Sequence, residues 1–228
     1  GLRANWYALF LVVCVVTLVL GNVVAIVQTN IKRMLAYSSI AHAGYALIGV
    51  VVAGQTEAEG AVRTLGVSSV MLYLAVYAFM TLGAFAVVAM LRKGGLEGDE
   101  IEDFTGLAKR QPLAAFLMLV FMVSLAGIPP TAGFIGKFYL FLAAVKAGLT
   151  WLAVVAVLFA AVSAYYYLRV VMVMYMREPQ ASNGVEPRLV TSTAMTIVLA
   201  CAFAGVVLLG LFPGPLVSVT THAVLLLK

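Results

Sequence analysis

The stretch SLAGIPPTAGFIGKF, residues 124–138, interrupts an apolar segment that runs from about Pro112 to about Val145. As one continuous helix this segment would be about 50 Å long, well beyond the about 30 Å of bilayer hydrocarbon. Pro129 and Pro130 remove two backbone donors and clash with the preceding turn, so the helix must break. Each half is too short to span a membrane alone. The pattern therefore predicts one interrupted crossing at about 112–145, with its break at 127–133, between Gly127 and Gly133.

The composition around this stretch is that of a membrane protein. The 228 residues are 64% hydrophobic and 10% charged, against roughly 45–50% and about 25% in soluble domains. This argues against a soluble enzyme and against a nucleic-acid partner, because the 14 Lys and Arg lie mostly between apolar runs, where they orient a membrane protein. The two cysteines, Cys14 and Cys201, lie in separate apolar stretches and lack the spacing of metal ligands.

The long apolar runs predict an all-α, polytopic transmembrane helix bundle, because backbone polar groups in lipid must be satisfied internally. We predict a single transmembrane domain over 1–228, with a cytoplasmic loop at 93–111 and an interfacial tail at 216–228. The chain begins at Gly1 without a methionine, so we expect a fragment of a longer protein. The six predicted spans are about 5–28, 32–53, 64–91, 112–145, 149–176 and 189–211.

Loop charges predict the orientation, because the cytoplasmic side of a membrane protein collects Lys and Arg. One face has eight basic residues and the other has four, so we assign the richer face to the cytoplasm. Both ends of the chain then lie on the non-cytoplasmic side. The richer face carries Lys32, Arg33, Arg92, Lys93, Lys109, Arg110, Arg177 and Arg188, and the poorer face carries Arg3, Arg63, Lys146 and Lys228.

Lys137 is the strongest candidate for function. It follows the break by about one turn of helix, which puts its amine deep in the membrane. An ionisable group there costs about 2.5–3.5 kcal/mol on insertion scales and is expected to face the bundle interior or water. Broken helices beside ionisable residues are typical of transporters. We favour an ion-pathway role over a static pair or a side chain that reaches the membrane surface.

His42 is predicted near mid-depth of the second span, and Ser38, Ser39 and Tyr45 are spaced to share its face. This stripe would suit a proton relay, but an intramembrane histidine is equally suited to a hydrogen bond between helices. Arg169 is expected either to reach the membrane surface or to act as a fixed charge near a site. Lys32 is expected to be a topology anchor or to lie at a pathway mouth. The third span is predicted to serve only for packing between helices. The sequence shows no covalent catalytic site and no metal-ligand set.

Four ordered strings resemble the antiporter-like membrane subunits of respiratory complex I, NADH-quinone oxidoreductase. They are QTNIKRMLAYSSIAH (28–42), SLAGIPP (124–130), GFIGKFY (133–139) and YYYLR (165–169). The resemblance is closest to the subunit N type, the counterpart of mitochondrial subunit 2, since a lysine follows GFIG where subunit M has glutamate. The absence of His and Lys from the third span points away from subunit L.

This resemblance implies a proton-translocating subunit that is coupled to quinone reduction elsewhere in the complex. The parent would have about fourteen helices with inverted repeats, and this chain would be its last six. Lys137 matches the lysine of the second broken helix, and His42 would lie on the hydrated polar axis. The glutamate–lysine pair of the first repeat and the central lysine have no matching positions here, so the fragment cannot contain a complete proton route.

The resemblance also implies the surroundings of the chain. NADH, FMN, iron–sulfur clusters and quinone would bind other subunits, so no cofactor is expected on this chain. Its partners would be neighbouring antiporter-like subunits and the lipid of a bacterial inner membrane. Two alternatives stay open: a multi-subunit Na⁺/H⁺ antiporter or its membrane-bound hydrogenase relative, and a non-conducting membrane scaffold.

Overall fold

The structure, a computed structural model, describes residues 2–55, 60–93, 99–178 and 192–226, and this part of the chain is all-α. Its long helices are α1 (Leu2–Ile26), α2 (Ile31–Gly54), α3 (Gly60–Lys93), α5 (Pro112–Ala126), α6 (Ala132–Lys146), α7 (Thr150–Met176), α8 (Thr193–Leu211) and α9 (Gly214–Leu226). A 3₁₀ turn (Ile101–Phe104) and the short α4 (Leu107–Arg110) precede α5. The predicted helical bundle is confirmed, and α1, α2, α3, α7 and α8 are each long and apolar enough to cross a membrane.

The predicted break divides the fourth crossing into α5 and α6. Gly127 ends α5 in the left-handed conformation, with φ +84°, and donates its N–H to the carbonyls of Val123 and Ser124. The Ser124 hydroxyl accepts from the backbone N–H of Gly133, 3.1 Å away, in the first turn of α6. The end of one half-helix is therefore tied directly to the start of the next, which limits the break to a few residues.

The predicted sixth span, about 189–211, corresponds to α8, which ends at Leu211, and the prediction placed an interfacial tail at 216–228. Within the described residues a helix, α9, continues beyond the Pro213-Gly214-Pro215 break. It packs against the first half of α3, and Ser68 of α3 and Thr220 of α9 line the same small cavity. The run from Leu216 to Leu226 is mostly apolar, so the prolines interrupt the helix without ending its packing surface. Residues 227 and 228 lie outside the described part.

The two breaks lie side by side in the bundle. A Cβ atom at Gly210, near the end of α8, would be 2.3 Å from the carbonyl oxygen of Pro130. Earlier in α8, a Cβ at Gly205 would meet the ring of Phe79 in α3 at 2.6 Å. Close backbone approach at small residues is the usual way that membrane helices pack. The α8–α9 pair therefore runs antiparallel to α3 and crosses the α5–α6 break.

The predicted loop at 93–111 is folded over its described residues, 99–111, and is joined to the neighbouring helix ends. The Ile31 N–H donates to the carbonyl of Asp99 and the Ile101 N–H donates to the carbonyl of Thr29, each at 2.8 Å. Glu102 pairs with Arg177 at the end of α7. The α1–α2 turn, the start of α5 and the end of α7 thus meet on one face. Of the basic residues used for the orientation, Arg188 and Lys228 lie outside the described residues.

Buried apolar side chains form two clusters, one toward each end of the bundle. The first includes Met80, Phe121 and Tyr167 and packs α3 against α5 and α7. The second includes Leu18, Ile48 and Leu140 and packs α1 and α2 against α6 and α7. Ala126 and Ala132, on the two sides of the α5–α6 break, belong to the first cluster, so this cluster holds the break in position.

Gly133→Ala tests how tightly the break is packed. A Cβ at this position would lie 1.8 Å from the Ser124 carbonyl oxygen, so backbone must move, and we expect a loss of about 1–3 kcal/mol in the free energy of unfolding. Gly54→Ala is the control, because a Cβ added at Gly54 would meet no atom within 4 Å. Thermal unfolding of both variants in detergent compares them, and equal midpoints would contradict the tight packing.

Candidate functional site

The Lys137 side chain turns back from α6 to the end of α5. It is 3% exposed, and its ammonium Nζ donates to the carbonyls of Leu125 at 3.0 Å and Ala126 at 2.9 Å. These carbonyls belong to the last turn of α5, where no further helical N–H is available, and they form the negative end of the helix dipole. Lys137 therefore caps the half-helix that the break creates.

Gly127 makes room for this contact as well as for the turn. A Cβ there would lie 2.9 Å from Cδ and 3.3 Å from Nζ of Lys137. The positive φ of Gly127 already disfavours any other residue. The glycine and the lysine therefore form one unit, in which the turn that frees the carbonyls also leaves space for the amine that binds them.

The geometry suits the amine in either charge state. A neutral amine keeps two N–H donors, which is enough for both carbonyls, and an ammonium has a third. Nζ also lies over the ring of Tyr45, 4.9 Å from the ring centroid, and an aromatic face attracts a cation. Both carbonyl bonds can therefore persist when the proton leaves.

His42, which is 2% exposed, is held between two tyrosine hydroxyls. Its Nδ1 lies 2.5 Å from the Tyr73 hydroxyl and its Nε2 lies 3.0 Å from the Tyr167 hydroxyl. The Tyr167 hydroxyl also hydrogen-bonds Ser38. A neutral imidazole has one donor and one acceptor nitrogen, so one tyrosine donates to the ring and the other accepts from it. Tyr73, His42, Tyr167 and Ser38 form a continuous hydrogen-bonded chain across α3, α2 and α7.

Tyr45 joins this chain to Lys137. Its ring lies 6.0 Å from the His42 ring and 6.4 Å from the Tyr73 ring, measured between centroids, and the Lys137 ammonium lies over the same ring. The Tyr45 hydroxyl donates to the Ala156 carbonyl of α7 at 3.4 Å. The predicted residues Lys137, His42, Tyr45 and Ser38 are therefore brought into one buried cluster.

The structure places Ser39 and the third span differently from the sequence interpretation. Ser39 is not in the cluster, because it is half-buried and its hydroxyl donates to the Leu35 carbonyl of its own helix at 2.9 Å. The third span does more than pack, because Tyr73 hydrogen-bonds His42 and the Tyr77 ring stacks on it, 4.8 Å between centroids. The available signal was that a buried tyrosine hydroxyl needs a polar partner.

Arg169 and Lys32 lie apart from the cluster. The Arg169 guanidinium donates to the carbonyls of Ile26, at 3.0 Å, and Gln28, so it caps the end of α1. Lys32 forms an ion pair with Asp99, as expected of an anchored surface residue. Within the described residues, no group of three or more His, Cys, Asp or Glu side chains is placed to bind a metal ion.

Residues 2–163 match the family model described as "NADH:quinone oxidoreductase/Mrp antiporter, TM". The chain is 50% identical over 210 residues to "NADH-quinone oxidoreductase subunit N 2" of Rhizobium meliloti, covering 92% of this chain and 41% of that protein. It is 44% identical over 223 residues to "NADH-quinone oxidoreductase subunit N" of Acidithiobacillus ferrooxidans, covering 98% and 44%. The chain thus spans about two fifths of the length of these relatives.

Solved structures have the same architecture. A chain of respiratory complex I from Thermus thermophilus with bound aureothin matches with a TM-score of 0.75 and 31% identity, covering 92% of this chain and 45% of that one. A chain of the Mrp complex from Dietzia sp. matches with a TM-score of 0.79, covering 96% and 47%. At 21% identity, the second match is evidence for the fold alone.

Tyr73→Phe tests the hydrogen bond between the Tyr73 hydroxyl and His42 Nδ1. Without the hydroxyl, Nδ1 loses its partner in a buried site, so we expect a loss of about 1–3 kcal/mol in unfolding free energy. Tyr77→Phe is the control, since Tyr77 contributes its ring face to His42. Thermal unfolding and the ¹⁵N chemical shifts of the imidazole measure the effect. Unchanged shifts in the Tyr73 variant would contradict the hydrogen bond.

The Lys32–Asp99 pair makes the order of the loop depend on pH. The hydrogen bond from Lys32 holds the pKa of the Asp99 carboxyl below its usual value. A depressed carboxyl pKa stabilises the fold above the unfolded pKa of about 3.9, and this stabilisation is lost as the pH falls through the folded pKa. We expect Lys32→Met to raise the titration midpoint of Asp99, as followed by ¹³C NMR of the carboxyl. A midpoint that does not move would contradict the pairing.

Proposed function

The chain belongs to the NADH:quinone oxidoreductase/Mrp antiporter transmembrane family, and we propose that it is part of a subunit N that translocates protons in NADH:quinone oxidoreductase. The names of relatives that are 50% and 44% identical over nearly the whole chain support this proposal. NADH, FMN, iron–sulfur clusters and quinone would bind other subunits. This chain would contribute proton transfer and no covalent catalysis.

The observation that carries the proposal is the buried Lys137 amine on the carbonyls of the break. A lysine in this position has no carboxylate among its described contacts, so its charge is held by backbone dipoles and an aromatic ring. Such a charge is sensitive to other charges nearby, because the interior has a low dielectric constant. Quinone chemistry elsewhere would change the charges around Lys137, and the amine would release or take up a proton in response.

We propose that the proton moves through Lys137, His42 and water, with Tyr45 between the two side chains. Both ring nitrogens of His42 are hydrogen-bonded. The ring can therefore accept a proton on one nitrogen and release another from the opposite nitrogen. The remaining proton carriers would lie in the part of the subunit that this chain does not include. Ser38 would be the outer member of the chain of hydrogen bonds.

The proposed setting is a bacterial inner membrane, with both ends of this chain on the non-cytoplasmic side. Large apolar side chains on α1, including Leu9, Val12 and Leu20, are exposed in the isolated chain. An exposed apolar surface of this extent suits lipid or another membrane subunit. The partners would be neighbouring antiporter-like subunits of the same complex.

Lys137→Met in the full-length subunit, within the assembled complex, tests the proposal. Methionine has a similar length but cannot carry a proton, so we expect a several-fold fall in protons translocated per electron pair. Lys146→Met is the matched control, because Lys146 lies at the exposed end of the same helix. Proton uptake and quinone reduction would be measured in proteoliposomes, with assembly checked on native gels.

The outcomes separate the alternatives. Normal assembly with normal pumping in Lys137→Met would leave a scaffold role and remove Lys137 from the mechanism. Sodium-dependent transport without any dependence on quinone reduction would instead indicate an antiporter of the multi-subunit type.

A further inference from the structure

Within residues 6–26, the buried stripe of α1 contains one amide side chain, that of Asn22. This residue is 0% exposed, whereas large apolar neighbours such as Leu20 and Val23 face outward. The other buried members of the stripe are Cys14, Leu18, Gly21 and Ala25. An amide in a membrane interior is costly unless its polar atoms are paired. Asn22 therefore needs partners inside the bundle.

Both ends of the Asn22 amide are hydrogen-bonded. Its Nδ2 donates to the Leu18 carbonyl of the same helix at 2.8 Å, and its Oδ1 accepts from the Tyr166 hydroxyl of α7 at 3.1 Å. The bond to Leu18 sets the orientation of the amide, because the nitrogen only donates and the oxygen only accepts. The Tyr166 hydroxyl must therefore point its proton at Oδ1, which fixes the position of this buried side chain.

Asn22 and His42 lie at the same depth in the bundle. A Cβ at Gly21 would lie 2.5 Å from the backbone nitrogen of Ala41. The backbones of α1 and α2 are thus in contact one residue before Asn22 and one residue before His42. Close backbone approach at small residues holds membrane helices at a defined level. The amide and the imidazole therefore keep a fixed height relative to each other.

Tyr166 connects the amide to the partner of His42. Its ring packs on that of Tyr167, the next residue of α7, with 4.5 Å between the centroids. The Tyr167 hydroxyl contacts Nε2 of His42 at 3.0 Å and also the Ser38 hydroxyl. Both tyrosines are fully buried, and in a close-packed interior one ring cannot turn without displacing the other. A shift of Tyr166 is therefore transmitted to the hydrogen bond at Nε2.

The hydrogen bonds also indicate which nitrogen of the neutral His42 ring carries the proton. Among the described residues, Nδ1 of His42 is the acceptor within reach of the Tyr73 hydroxyl. Buried hydroxyl protons are paired in nearly all cases, so Tyr73 donates to Nδ1. The ring proton is then on Nε2 and is donated to Tyr167. Nε2 is therefore the nitrogen from which the neutral ring would release its proton.

We propose that Asn22 is a positioning residue for this nitrogen: through Tyr166 it keeps the Tyr167 hydroxyl within hydrogen-bond distance of Nε2. The inference rests on the proposed function, because it concerns the bond through which a proton leaves His42. An amide that only joined α1 to α7 would affect stability alone. Asn22 acts in addition on one nitrogen of one ring.

Two variants test the effect on Nε2. Asn22→Leu removes the acceptor at similar volume, and Tyr166→Phe removes the donor but keeps the ring. Thr17→Val is the control on the same helix, because the Thr17 hydroxyl donates to the Val13 carbonyl of α1 itself. Solid-state ¹⁵N NMR of the full-length subunit in lipid, labelled at histidine, measures the shifts, and a His42→Gln sample assigns the signals.

We expect Nε2 of His42 to shift several-fold more than Nδ1 in both test variants, because the Tyr73 bond is kept. The Thr17→Val spectrum should match that of the unmodified subunit. Reduced thermal stability with unchanged imidazole shifts would make Asn22 a link between helices only and would overturn the proposal. Equal shifts at the two nitrogens would also overturn it.

A double-mutant cycle tests whether Asn22 and Tyr166 act as one unit. We expect each single variant to slow proton translocation by the assembled complex several-fold. The double variant Asn22→Leu, Tyr166→Phe should be no slower than either, because both changes remove the same bond. Native gels check assembly. Additive losses, or normal translocation in both single variants, would overturn the positioning role.

These results are independent of the Lys137→Met result, since the NMR measurement does not require pumping. An unchanged Nε2 signal together with a defective Lys137→Met variant would overturn the positioning role and leave the proposed function intact. Normal translocation in Lys137→Met would overturn the proposed function, whatever the His42 spectrum shows.

Discussion

The carbonyl groups that the α5–α6 break exposes are the constraint on which the rest of the structure depends. In a membrane interior each unpaired carbonyl is costly, because water is not available to replace the missing helical N–H. Two of these carbonyls accept hydrogen bonds from Lys137. On the other side of the break, the Gly133 N–H donates to the Ser124 hydroxyl. The same contact stabilises a lysine that would otherwise be unfavourable in the membrane. The break and the charge therefore depend on each other.

The aromatic residues extend this arrangement across the bundle. Tyrosines from α2, α3 and α7 surround His42 and connect it to the lysine through Tyr45. Because their hydroxyls both donate and accept, they can follow a change in the proton position on the ring, which an apolar wall could not do. Glycines at the contact points, such as Gly136 against the Tyr73 ring, allow the helices to approach closely enough. Arg169 and the ion pairs Lys32–Asp99 and Glu102–Arg177 hold the helix ends that position these residues.

The second break changes the path of the last helix through the bundle. It places α9 against the first half of α3, and this packing encloses the small cavity lined by Ser68 and Thr220. A continuous last helix would not follow the same path past the α5–α6 break, where Gly210 meets the Pro130 carbonyl. The fold resembles that of a solved chain of complex I, while the proton route through this chain stays a proposal.

The sequence by itself determined the helical class, the spans and the first break, because hydropathy, length and the Pro-Pro pair act locally along the chain. It also identified Lys137 and His42, since a charged or titratable residue in an apolar run stands out. Only the tertiary structure decided which polar groups meet. Tyr73 and Tyr167 are 31 and 125 residues from His42 in sequence, and Ser39, next to Ser38, turns to its own helix. The role of α9 likewise depended on packing, because the prolines mark an interruption but do not say where the next helix goes.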